Sequence, residues 1–151
     1  ERPTFFYLMK NIKKNIRNLL PDGIFLLELD LKEKSSYVRL VVDGIKHVSI
    51  QDTALITKRV KNMEEINSLF LEGYRLEVTT PGIGKKLMHS FQYKKFLFKK
   101  LEITLNRNED NNYLDAELVD VDDHGIKINE NGNLFALKYD EILSAKPKIK
   151  F

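Results

Sequence analysis

The chain has 151 residues, of which 42% are hydrophobic and 31% charged, with a formal net charge of +3. That composition suits one soluble globular domain or two small ones, and the absence of cysteine excludes disulfides and any Cys-based zinc site, as in a reducing cytosol. No apolar run approaches the ~20 residues needed to span a bilayer, so no membrane contact is expected and a cytoplasmic location is.

The opening Glu1-Arg2-Pro3-Thr4 has no signal-peptide pattern. Phe5, Leu8, Met9, Ile12, Ile16, Leu19 and Leu20 then fall on one stripe at helical spacing, with Thr4 as the expected N-cap and Pro21-Asp22-Gly23 as the stop. On the outer face Lys10, Lys13, Lys14 and Arg17 form a basic ridge at three- and four-residue spacing. Such a ridge would lie along a nucleic-acid backbone; an ordinary solvated face is the other reading, and both stay open.

Two strands follow. Phe25, Leu27, Leu29 and Leu31 are the expected apolar face of the first, and Val38, Leu40 and Val42 that of the second. Ser49-Ile50-Gln51-Asp52 has the form of a capping box. Leu55, Ile56, Val60 and Met63 continue it as a helix whose exposed side carries Lys58, Arg59 and Lys61. A third strand, with Tyr74, Leu76 and Val78 on one face, gives the order α-β-β-α-β. This order resembles KH-type nucleic-acid modules, but no Gly-x-x-Gly phosphate loop is present.

The third strand runs into Pro81-Gly82, where proline withdraws a ladder donor and glycine tolerates angles that other residues resist. A seam is expected here, with domains at 1–82 and 83–151 and Pro81 and Gly82 as the interdomain hinge. Leu76-Glu77-Val78-Thr79-Thr80-Pro81-Gly82-Ile83 resembles the Leu-Glu-Val-Ser-Ser-Pro-Gly-Leu signature of the bacterial ribosome maturation factor RimP family. That family usually continues Asp-Arg-Pro-Leu, whereas this chain has Gly84-Lys85-Lys86-Leu87. Six lysines and no acid occur from Lys85 to Lys100, a distribution suited to phosphate or to an acidic surface.

The second half reads as short strands: Leu101–Leu105, Leu114–Leu118, Ile126–Ile128, Leu134–Leu137 and Leu143–Ile149. Phe91–Phe96 is a helical turn or loop ahead of them, Asn106–Asn112 a polar loop, Asn131-Gly132 the strongest hairpin signal, and Tyr139–Ile142 a helical turn. Strands at this spacing suggest a small closed or nearly closed barrel, read as SH3-like. The fold class is therefore α+β, an α-β-β-α-β sheet domain followed by an SH3-like small barrel. The resemblance extends through this half in Ala116-Glu117-Leu118, Val121-Asp122-Asp123, Asp140-Glu141-Ile142, Ala145 and Phe151. In the first half, Gly23-Ile24 with Glu28 and Ser49–Asp52 match as well.

No enzymatic constellation stands out. His47, His89 and His124 lack metal-ligand spacing, and Asp120, Asp122 and Asp123 read as a solvated hairpin turn beside Gly125. Gly82-Ile83-Gly84-Lys85 fails the Walker pattern at Thr79 and at Lys86. No cofactor and no metal are expected. The resemblance implies a non-enzymatic factor that binds the immature small ribosomal subunit, 16S rRNA and a small-subunit protein of the decoding region. Within it, Lys10, Lys13, Lys14, Arg17, Lys58, Arg59, Lys85 and Lys86 are the expected rRNA contacts. Asp115, Glu117, Asp120, Asp122 and Asp123 are the expected protein contacts, and a monomer is expected. The alternative is a generic RNA-binding or RNA-chaperone protein with an Sm- or SH3-like barrel.

Overall fold

The computed structural model describes residues 3–82, 84–107 and 112–148. Ile83 of the Pro-Gly motif, the tip of the 106–112 loop, the end of the last expected strand at Ile149, and Phe151 lie outside the described residues. The fold is α+β with two sheets, and the chain divides into two compact units, Glu1–Pro81 and Gly82–Phe151.

The first unit runs α1 (Pro3–Leu19), β1 (Ile24–Lys32), β2 (Tyr37–Gly44), α2 (Ile50–Lys61), α3 (Glu64–Asn67) and β3 (Arg75–Thr79). Its sheet has the order β1-β2-β3, with β1 antiparallel and β3 parallel to the central β2. Parallel pairing needs a crossover, and α2 with the one-turn α3 supplies it. Ile12 and Ile16 of α1, Ile56 and Val60 of α2, and Val38, Leu40 and Val42 of β2 make the buried centre. Tyr74, Leu76 and Val78 pack against that centre from the β3 side.

Three local expectations are corrected here. Helix α1 already includes Thr4, so Thr4 is not its cap; Pro3 stands at the helix start, where a missing N–H is harmless. Leu55 is 38% exposed and lies off the buried face of α2, which Ile56 and Val60 supply; Met63, also buried, follows the helix. In β1 the register shifts between Leu26 and Glu28, so that Leu27 is an extra, bulged residue. The bulge changes which face is apolar: Ile24, Leu26, Leu29 and Leu31 pack on the core, and Phe25 is exposed. A single period-2 phase through Phe25 and Leu27 fails because one inserted residue reverses the alternation.

The second unit runs α4 (Ser90–Lys94), β4 (Lys100–Leu105), β5 (Tyr113–Val121), β6 (Gly125–Glu130), β7 (Asn133–Lys138), a 3-10 turn (Tyr139–Glu141) and β8 (Ile142–Pro147). The strands form one antiparallel sheet in the order β7-β6-β5-β4-β8. Among the described residues no ladder joins β7 to β8, so this sheet is not closed. Leu101, Ile103, Leu105, Ala116, Leu118, Ile126, Ile128 and Ala145 form the core, with Tyr93 of α4 lying against it. Asn131 (φ 52°) and Gly132 (φ 91°) both take left-handed angles between β6 and β7, as a two-residue hairpin turn demands. Only Leu137 of the expected apolar run on β7 packs against the core; Leu134 and Phe135 are exposed.

Candidate nucleic-acid interface

Helix α1 has no acidic residue. Its buried stripe through Ile12 and Ile16 fixes the rotation of the helix, and that rotation turns Lys10, Lys14 and Arg17 to solvent with Lys13 at the flank, half-buried. The sequence-predicted ridge is thus present as one face. Phe6 and Tyr7, 57% and 63% exposed, sit at the N-terminal end of the same face. Their rings meet edge-on at 5.9 Å, and the Lys10 ammonium lies 5.6 Å from the Phe6 centroid. A helical wheel drawn from residue 5 includes both rings, so their off-stripe positions carried a readable signal.

Helix α2 is set by its start. Ser49 Oγ accepts from the Asp52 N–H at 3.0 Å while Asp52 Oδ2 accepts from the Ser49 N–H at 2.9 Å, closing the capping box. The Ser49 N–H, and after it the Ser49 hydroxyl, stabilise the charged carboxylate and hold the Asp52 carboxyl below its usual range. The last turn carries Lys58, Arg59 and Lys61. Arg59 reaches out of α2 and its Nη1 donates to the Leu19 carbonyl at 2.7 Å, satisfying one orphan acceptor at the α1 C-terminus. The contact brings the end of the α1 ridge and the basic end of α2 together, which spacing in the sequence does not reveal. Lys61 is committed elsewhere: it donates to the Tyr74 carbonyl at 2.5 Å and sits 3.7 Å over the Tyr74 ring.

On the open face of the same sheet the charges are spent on one another. Arg39 pairs with Glu77 at 3.4 Å, Tyr37 donates to Glu77, and the Arg75 guanidinium stacks 4.7 Å from the Tyr37 ring. The Glu77 carboxylate pushes the Tyr37 phenol up. This network sets one carboxylate among two guanidinium groups, in contrast to α1, which has no acid.

In the second unit Lys85 and Lys86 are exposed, and the Lys85 stem lies over Gly82, 3.6 Å from where a Cβ would be. The five predicted acidic contacts divide. A bulge between Leu118 and Asp120 keeps Asp115, Glu117 and Asp120 on one outward face of β5. Each is set beside a lysine: Asp115 pairs with Lys148 at 2.6 Å, Glu117 lies opposite Lys100, and Asp120 opposite Lys127. The Asp115 carboxylate raises the Lys148 pKa. Asp122 Oδ1 accepts from the His124 and Gly125 N–H groups at 2.7 and 2.9 Å, which lowers its pKa and ties it to the turn. Asp123 is exposed. Among the described residues no group of three or more His, Cys, Asp and Glu is placed to hold a metal ion. No helix there is long and apolar enough to cross a membrane.

Residues 16–84 match the RimP N-terminal domain family, from the end of α1 through β3. The ribosome maturation factor RimP of Christiangramia forsetii is 26% identical over 144 residues, covering 86% of this chain and 89% of that protein. Over residues 16–84 the chain is thus similar to the RimP N-terminal domain, and along most of its length to a RimP protein. The RimP-matched segment contains Arg17, Lys58 and Arg59 and the Arg59–Leu19 contact, whereas Lys10, Lys13 and Lys14 precede it.

Proposed function

We propose that this protein is a ribosome maturation factor that acts without bond chemistry. It binds the immature small ribosomal subunit in the cytoplasm and holds 16S rRNA and a small-subunit protein of the decoding region in a productive arrangement. The observation that carries the reading is the acid-free face of α1, which Arg59 joins to the basic end of α2 in a unit that matches the RimP N-terminal domain from residue 16 onward. Lys10, Lys13, Lys14, Arg17, Lys58, Arg59, Lys85 and Lys86 contact phosphates, which positions the protein without reading sequence. The first unit serves as the KH-like module in topology. The second serves as the SH3-like one, a reading supported by five antiparallel strands and a 3-10 turn before the last. Asp123 and Asp120, with Asp115, Glu117 and Asp122 behind them, steer a basic ribosomal protein. Pro81 and Gly82 act as the hinge, and tethering two weak sites raises the effective concentration at each.

The test is cosedimentation with small-subunit precursors, mature small subunits and whole ribosomes at two salt concentrations, using the wild-type chain and a Lys10→Glu/Lys14→Glu/Arg17→Glu variant. Preference for the precursor, weakened by salt, is expected. Removing three phosphate contacts should flatten the salt dependence by roughly 2–3 in log–log slope. Equal binding to all particles would favour a generic RNA-binding protein instead, and an unchanged variant would remove α1 from the interface.

A further inference from the structure

The corner between α4 and β4 holds Phe98 in the left-handed region, at φ 66°. A bulky L-residue is strained there, while glycine takes the same angle freely. The conformation is not incidental. The Phe98 N–H donates to the Leu118 carbonyl at 2.6 Å, and the Leu118 N–H donates to the Lys99 carbonyl at 2.9 Å. Two backbone bonds to one residue of β5 pin the corner on both sides of the strained position. Burial gives no return for the strain, because the Phe98 side chain is 69% exposed. The turn would be made at lower cost by glycine, so the ring serves something outside the fold.

Its surroundings name the class of partner. Lys94, Lys99 and Lys100 are exposed around the corner, and among the described residues none of the three is in an ion pair. Glu117 faces Lys100 across the ladder, whereas Lys94, at the end of α4, and Lys99, ahead of β4, lie outside the ladder. An exposed aromatic face flanked by uncompensated lysines is the arrangement that stacks an unpaired base and holds its phosphates. We propose that Phe98, with Lys94 and Lys99, is a stacking site for single-stranded RNA on the second unit. The site rests on the RNA-binding part of the function proposed above, but it uses different residues on a different unit.

The experiment is a fluorescence-anisotropy titration of labelled oligouridylate and of a blunt RNA duplex with the full chain. The variants are Phe98→Gly, Phe98→Tyr and the α1 triple charge reversal, and light scattering is run on each. Phe98→Gly should weaken oligouridylate binding roughly tenfold while leaving the duplex unchanged. Its melting temperature should hold or rise, since the substitution relieves the backbone; Phe98→Tyr should bind as wild type does. Wild-type oligouridylate affinity in Phe98→Gly overturns the stacking site. If the charge reversal alone weakens binding, the function proposed above stands and this site falls. If Phe98→Gly alone weakens it, the site stands and the α1 interface falls. A change in oligomeric state in Phe98→Gly would mean that the ring packs on a second copy, which also refutes the proposal.

Discussion

Gly125 opens β6 opposite Lys138 and is buried. A Cβ there would stand 2.0 Å from the Leu137 carbonyl oxygen and 2.9 Å from its carbon, against about 3.4 Å for ordinary contact. The obstacle is backbone, not the flexible end of a side chain, so Gly125→Ala must push β6 and β7 apart. The displacement strains a fixed set of bonds: Asp122 N–H to Gly125 O at 3.0 Å, Gly125 N–H to Asp122 Oδ1 at 2.9 Å, and Tyr139 N–H to His124 O at 3.3 Å. Overpacking costs about 1–3 kcal/mol, and weakening one or two of these bonds adds roughly 1 kcal/mol each. The expected loss is therefore about 2–5 kcal/mol, confined to the second unit. Because two units need not unfold together, the assay is native-state hydrogen exchange, following amides of β4–β6 and of β1–β2 separately. A loss under about 1 kcal/mol in β4–β6, or an equal loss in β1–β2, would refute the reasoning.

Ser49→Ala should cost the first unit about 1 kcal/mol by removing the acceptor for the Asp52 N–H, read on the α2 amides. The same box has a pH signature. The Asp52 pKa is depressed in the folded chain, so its contribution is complete above the ordinary carboxylate value and is lost as pH falls through the lower folded value. An acid titration of α2 exchange that is identical in wild type and in Asp52→Asn would contradict this. At the alkaline end, burial pushes Tyr93 and Tyr139, whose rings lie 5.5 Å apart, up to about 12. The second unit should therefore keep its stability below pH 10 and lose it as pH rises from there toward 12, which phenolate absorbance against denaturant midpoint will show.

Signals that live in a few adjacent residues were legible in the sequence. The Ser49–Asp52 box, the Asn131-Gly132 turn and the stripe through Ile12 and Ile16 each follow from local rules of capping, left-handed angles or helical period. What escaped depends on partners distant in the chain. That Arg59 would spend a donor on the Leu19 carbonyl, forty residues away, follows only once the two helices share a sheet face. The acids of β5 look like a free negative patch in sequence, yet the register sets each beside a lysine of another segment. Phe98 gave no warning because nothing in Leu97-Phe98-Lys99 asks for a left-handed angle; the two bonds to Leu118 impose it.

The β1 bulge makes the strand's parity adjustable at one point. Leu26 faces Val42 and Glu28 faces Val41, so the residues on either side of Leu27 are already in consecutive register. Excising Leu27 would leave Ile24-Phe25-Leu26-Glu28-Leu29-Asp30-Leu31-Lys32, in which inward and outward residues alternate without a fault. A one-residue deletion from Leu29 to Leu31 would instead invert part of the strand and carry a charged side chain toward the core. In a scan of single deletions, β1 should therefore tolerate the loss of Leu27 or Glu28 at its bulge and of none of Leu29, Asp30 and Leu31.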